Sequence, residues 1–296
     1  MTTPTRRPLW RMALALALAS ALMAWAWHAR PATLAVRWHG LLIPGAALSL
    51  LSLFLYALRF RRVLHMFDLH LSPRDGLRIV SFAVFCQFFM PLGAGAELGK
   101  FLKLRGLAPQ RRAMVSIAAI ALEHVLGLLA VVTLAGASFA ILKPFQLHLD
   151  GHWLLVAGVA IVVLSALTVL LLAARRGLDL AQLQALLSTH KSDAVLIIGW
   201  SMLMHVVLSA AVYVGSLGWG IAIHYPQILF VLTSAALFQA VPANLVGLGV
   251  ADIAGTGLYV ALGLPPGDAL LLVSLLYCYR LLAAMLGGAW EFRRVR

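Results

Sequence analysis

The sequence predicts an all-α polytopic membrane protein, with about six spanning helices plus two Pro/Gly-broken re-entrant helix pairs in an inverted-topology repeat. Three observations predict it. Of 296 residues, 62% are hydrophobic and 11% charged, whereas soluble domains carry about 45–50% and about 25%. A chain this apolar cannot cover itself with a polar surface, so lipid is its solvent. The 23 Lys and Arg stand in short clusters between apolar runs. Two of those runs, 76–105 and 228–264, are interrupted by proline and glycine.

A spanning helix needs ~20 apolar residues to cross ~30 Å of hydrocarbon. Six runs meet that length: 9–28, 40–58, 113–141, 153–174, 194–222 and 269–290. In the first, the stretch from Met12 to Trp27 follows Arg6, Arg7 and Arg11 and reads as an uncleaved helix, with a removed signal peptide as the alternative. With the N-terminus inside, nineteen Lys and Arg fall on the cytoplasmic side, Arg30, Arg37 and Lys143 fall outside, and Arg280 lies within a span. The reverse orientation would put those nineteen outside, so both termini are expected in the cytoplasm.

The broken runs then acquire a direction. Region 76–105 has basic clusters on both flanks, so it is expected to enter the membrane, turn near Pro91, Gly93 and Gly95, and return. Region 228–264 needs both ends outside and would turn near Pro242, Asn244, Gly247 and Gly249. Residues 1–296 thus read as one integral membrane domain, with repeat halves 40–141 and 194–290 joined by a span and a cytoplasmic segment, 142–193. Leu180, Leu183 and Leu187 give 177–191 the spacing of a helix at the interface, or of a soluble linker helix.

Several function classes drop out. The net charge of +13 is spread over loops facing headgroups and forms no nucleic-acid stripe. Cys86 and Cys278 lie in apolar runs and suggest neither disulfide nor metal site. His65/Asp68/His70 and His148/Asp150/His152 lack zinc spacing and read as loops. The stretch from Ala94 to Phe101 misses the first Gly and the final Ser/Thr of a P-loop, and no HExxH or GxSxG occurs. No catalytic residue, metal or cofactor is expected, and the chain does not read as an enzyme.

Charge inside a membrane needs a reason, because it costs ~2.5–3.5 kcal/mol per ionised group on insertion scales. Glu123 lies ten residues into its span, ~15 Å deep, and Arg280 lies at a similar depth from the other side. The two are expected to face a common polar cavity, where mutual contact would offset the cost. The plain alternative is an ion pair that only locks helices. Glu97 and Asp252 each follow a break, where an acid caps a helix, binds a cation or proton, or shapes a loop. Lys100, His124 and His205 are secondary candidates, the histidines reading first as packing residues.

These breaks resemble the family of the lysylphosphatidylglycerol synthase transmembrane region, or flippase-like domain proteins. Phe89 to Glu97 is similar to the family's Pro-Gly-x-x-Gly-Glu break, and Ala121 to Gly127 carries Glu123-His124 where members commonly have Glu-Arg. Val241 to Asp252 resembles a Pro…Gly-x-Gly-x-x-Glu pattern with Asp252 for Glu, and Tyr279-Arg280 resembles an aromatic-Arg pair. The resemblance covers about residues 40–290. It implies a lipid-handling role in a bacterial cytoplasmic membrane, without the soluble aminoacyltransferase domain of the synthases. The leading expectation is a lipid translocase, or a lipid-binding transporter, for an anionic or phosphate-bearing headgroup. Arg280 would meet the phosphate, with Glu123, Glu97 and Asp252 binding or gating. One alternative is a non-catalytic partner that presents lipid to a separate enzyme such as a glycosyltransferase. A weaker one is an intramembrane lipid-modifying transferase using Glu97 or Asp252 as base.

Overall fold

The computed structural model describes residues 39–89, 95–107, 113–142, 180–240, 244–245 and 247–292, with scattered positions between 14 and 28. The span expected at 153–174, most of 9–28, and the break residues Pro91, Gly93 and Pro242 lie outside the described residues. The described part is helical but for one tiny hairpin. Its helices are α1 (Leu42–His65), α2 (Pro73–Phe89), α3 (Gly95–Leu107), α4 (Ala113–Leu142), α5 (Leu180–Thr189), α6 (Lys191–Gly218), α7 (Tyr225–Leu237), α8 (Val250–Ala261) and α9 (Pro266–Phe292). Among the described residues, α1, α4, α6 and α9 are long and apolar enough to cross a membrane.

Local chemistry sets the ends. Ser72 opens α2 by accepting a hydrogen bond from the Asp75 amide (3.1 Å), and its hydroxyl donates back to the Asp75 carboxylate (2.6 Å). With Pro73 as first helical residue, this is a serine N-cap start. His224 opens α7 similarly, its amide donating to Gln227 Oε1 at 2.9 Å. Helices α1, α6 and α8 end alike, on left-handed Asp68, Gly220 and Gly263. In each the next amide reaches back to a carbonyl of the last turn: Leu69 to Leu64, Ile221 to Ser216, Leu264 to Tyr259. That bond satisfies a carbonyl the helix end leaves open.

The 40–58 span needs correcting. Helix α1 runs on to His65, through Arg59, Arg61 and Arg62. A hydropathy reading stops at the first charge, but Arg59 is buried against an acid on another helix and carries the span onward.

The packing has an exchange pattern. Helix α1 lies on α6, α2 on α9, and α4 on α7. Swapping α1–α4 for α6–α9 in order keeps the first of these contacts and exchanges the other two, and it turns α2 with α3, α1 with α2, α3 with α4, and α1 with α9 into contacts that are also present. The two halves therefore share one arrangement.

Helices α2 and α9 run antiparallel in close contact. Arg78 meets Glu291 at 3.0 Å, Gly287 lies on the Ser81 backbone, and Phe88 faces Tyr277 with ring centroids 5.5 Å apart. A Cβ on Gly287 would collide with the Ser81 carbonyl, which is the small-residue contact expected between helices in lipid. Tyr277 stands fourteen residues before Glu291, about 21 Å along the axis. Helix α2 thus stops partway along α9. Helix α7 does the same along α4: Phe230 packs near Phe139 (5.9 Å), while its last residue, Leu237, shares a small cluster with Val131.

Candidate functional site

The second break is a two-stranded hairpin. Asn244 pairs with Gly249 and Leu245 with Leu248, and Gly247 in the turn has φ 82°. A positive φ suits a residue without Cβ, and here a Cβ would also strike the Phe88 ring at the end of α2. The hairpin therefore abuts the end of the helix that leads into the first break. Gly95, first residue of α3, packs so tightly on the Cys86 carbonyl that a side chain would not fit. Phe88, just before the first break, and Gly247, in the second, meet at one level, near Tyr277 about halfway along α9.

The intramembrane charges collect around this level. Asp252 is the third residue of α8 and accepts a hydrogen bond from the Gly249 amide at 2.9 Å. Its other oxygen accepts from Arg280 Nη2 on α9. One carboxylate thus caps the helix that leaves the break and fixes the guanidinium beside it. The Arg280 side chain stays 22% exposed. Its Nε is buried, with no hydrogen-bond partner among the described residues.

Glu97, third residue of α3, repeats the motif with a different base. His124 Nε2 on α4 lies 2.9 Å from Glu97 Oε1. This pair is the more open, with side chains 50% and 36% exposed.

Glu123 faces the opposite way, into the protein. It is held by Arg59 of α1 and by Lys100 of α3, the latter at 2.6 Å, and the Lys100 and Glu123 side chains are fully buried. Arg59 Cζ and Lys100 Nζ stand 4.8 and 5.0 Å from the Tyr56 ring centroid, which adds cation–π attraction in a dry setting. Arg59 also donates to Ser201 on α6 at 3.4 Å. Four helices are joined through one carboxylate and its two cations.

This corrects the expected pairing of Glu123 with Arg280. Each has its own partners, Arg59 and Lys100 for one and Asp252 for the other. Similar depth fixes only one coordinate and does not choose a partner. Sequence reasoning also missed Arg59, Tyr56 and Ser201. One signal was present: the first charge after the 40–58 run enters from the same side as Glu123. Of the secondary candidates, Lys100 is part of the triad, His124 pairs with Glu97, and His205 stands on α6 within electrostatic reach of Arg59. At one end of the bundle, Glu291 is gripped by Arg78 and Lys103, which ties α9 to α2 and α3.

Two broken runs, each followed by an acid, are what the sequence motifs foretold; the bases that meet those acids, His124 and Arg280, come from the structure. The profile of the lysylphosphatidylglycerol synthase TM region matches residues 12–288. The chain belongs to that family. No curated protein and no solved structure matches it. As a member of the lysylphosphatidylglycerol synthase TM region family, it is a multi-pass membrane protein related to lipid metabolism.

Proposed function

We propose that this protein binds a lipid with an anionic, phosphate-bearing headgroup where the two breaks meet, and moves it between leaflets of a bacterial cytoplasmic membrane. The observation that carries this reading is Arg280. Its guanidinium stands halfway along a spanning helix with Asp252 as counter-ion, and the side chain stays partly exposed, so a headgroup phosphate can reach it from the open side. Arginine's planar fork suits a phosphate oxygen pair, and Asp252 holds the fork toward the break.

Backbone amides freed at a helix break favour the same charge. In this reading α2–α3 and α7–α8 are re-entrant hairpins that enter from opposite faces, because non-helical backbone is tolerated at membrane depth only beside protein or water. The halting of α2 and α7 partway along α9 and α4 supports it. The basic clusters support cytoplasmic termini. The chain makes and breaks no covalent bonds, and Glu97 and Asp252 serve as ion partners instead of bases.

Co-purifying lipids, identified by mass spectrometry after gentle extraction, test the site. Wild type is expected to retain one anionic phospholipid above its bulk abundance, and folded Arg280→Ala to lose it. Unchanged bulk lipid in both would remove the headgroup role and favour a protein that presents lipid to a separate enzyme.

A further inference from the structure

The first half carries a charge balance that one proton would tip. Arg59 and Lys100 face Glu123 and Glu97, two cations against two carboxylates. The fifth member, His124, follows Glu123 in the chain and shares a hydrogen bond with Glu97. With a neutral imidazole the patch sums to zero. With a protonated one it holds an uncompensated positive charge.

The helices packed on α4 offer little else to absorb it. From α1 come Arg59 and Tyr56, and from α3 come Glu97 and Lys100. Farther along those helices, Arg62 is taken by Asp193 of α6 and Lys103 by Glu291. From α6, His205 lies near Arg59. The ionisable side chain of α7 is Tyr225, in its first turn.

The pair is also open. His124 is the twelfth residue of a 30-residue helix, ~16 Å from its start, yet half its side chain is exposed. An ionisable pair facing hydrocarbon there is costly, so such groups line water-filled cavities. The second half differs at this point, since Arg280 stays charged at any working pH.

We propose that Glu97 and His124 form a proton-binding site that water reaches from within the span, and that a proton and an anionic lipid headgroup bind together. The proton adds to the imidazole and leaves the patch one positive charge in excess. A phosphodiester headgroup brings one negative charge and restores the balance. By reciprocity each ligand raises the affinity for the other. The coupling rests on the headgroup reading above, while the proton site does not.

Histidine C2–H exchange, read by mass spectrometry on the full chain in detergent, tests the site without lipid. His124 is expected to exchange with a sigmoidal dependence on pH, and His205 to exchange slowly throughout. A flat, slow His124 overturns the site.

Binding of short-chain phosphatidylglycerol, whose phosphodiester keeps one charge throughout, tests the coupling against short-chain phosphatidylcholine. Wild-type affinity should rise roughly five- to tenfold from pH 8 to pH 5.5. His124→Arg should bind tightly at both values and His124→Gln weakly at both, each a check should the other misfold. Wild-type binding that ignores pH overturns the coupling alone. No anionic-lipid binding at any pH, with His124 still titrating, overturns the coupling and the headgroup reading together. Inorganic sulfate run alongside separates the sources: pH-dependent sulfate binding without lipid binding marks a free-anion site and overturns the lipid assignment.

Discussion

The two halves of the molecule share an arrangement and solve its electrostatics differently. Glu97 and Asp252 are each the third residue of the helix that leaves a break, and their bases stand 27 and 28 residues later, at His124 and Arg280. From there the halves diverge. Three residues after the acid, the first half has Lys100 and the second has Gly255, which lies against Val231, Ala235 and Val273. One residue before the base stand Glu123 and Tyr279. Glu123 anchors a buried ion triad, whereas Tyr279 donates one hydrogen bond to the Leu42 carbonyl at 3.2 Å. The first half therefore locks its helices with charge and leaves the Glu97–His124 pair partly exposed. The second packs its helices with small and aromatic residues and presents a permanent cation.

That contrast can be broken in graded steps. Glu123→Ala leaves two buried cations without their anion, and removing one partner of a buried pair costs about 3–5 kcal/mol. We expect a large fall in the apparent Tm after detergent extraction, or failure to accumulate. Gly287→Val drives a side chain into the Ser81 backbone and should cost about 1–3 kcal/mol through overpacking, read in the same thermal assay. Tyr279→Phe, at the position matching Glu123, removes one hydrogen bond and should cost about 0.5–1.5 kcal/mol. If it proved as damaging as Glu123→Ala, the claimed difference between the halves would collapse. Glu291→Gln, in a more accessible cluster with Arg78 and Lys103, should cost under about 1 kcal/mol, and raising the salt concentration should shrink the difference further.

Local signals made the helices legible. Apolar length marked α1, α4, α6 and α9, and the Pro/Gly interruptions correctly separated α2 from α3 and α7 from α8. The Leu-spaced stretch 177–191 contains α5. What stayed hidden was long-range. Arg59 looked like the end of a span because its partner lies 64 residues away on α4. The partners of Glu123 and Arg280 were misread because depth along a helix says nothing of the side it faces. Under the proposed repeat equivalent partners stand at equivalent spacing, and the matched acid-to-base offsets of 27 and 28 residues are the signal that fits both break pairs. The buried triad has no such echo in the second half, so no repeat logic could reveal it.

The central claim is that Arg280, at the meeting of the two breaks, handles an anionic headgroup, and leaflet exchange tests it most directly. Purified protein would be reconstituted into vesicles carrying a fluorescent phosphatidylglycerol, and the fraction reaching the inner leaflet followed by quenching from outside. Wild type is predicted to exchange the lipid well above protein-free vesicles. Folded Arg280→Ala, its Arg59–Glu123–Lys100 triad untouched, is predicted to fall to the protein-free rate. Exchange at the wild-type rate in that variant, or none in wild type, would contradict the account.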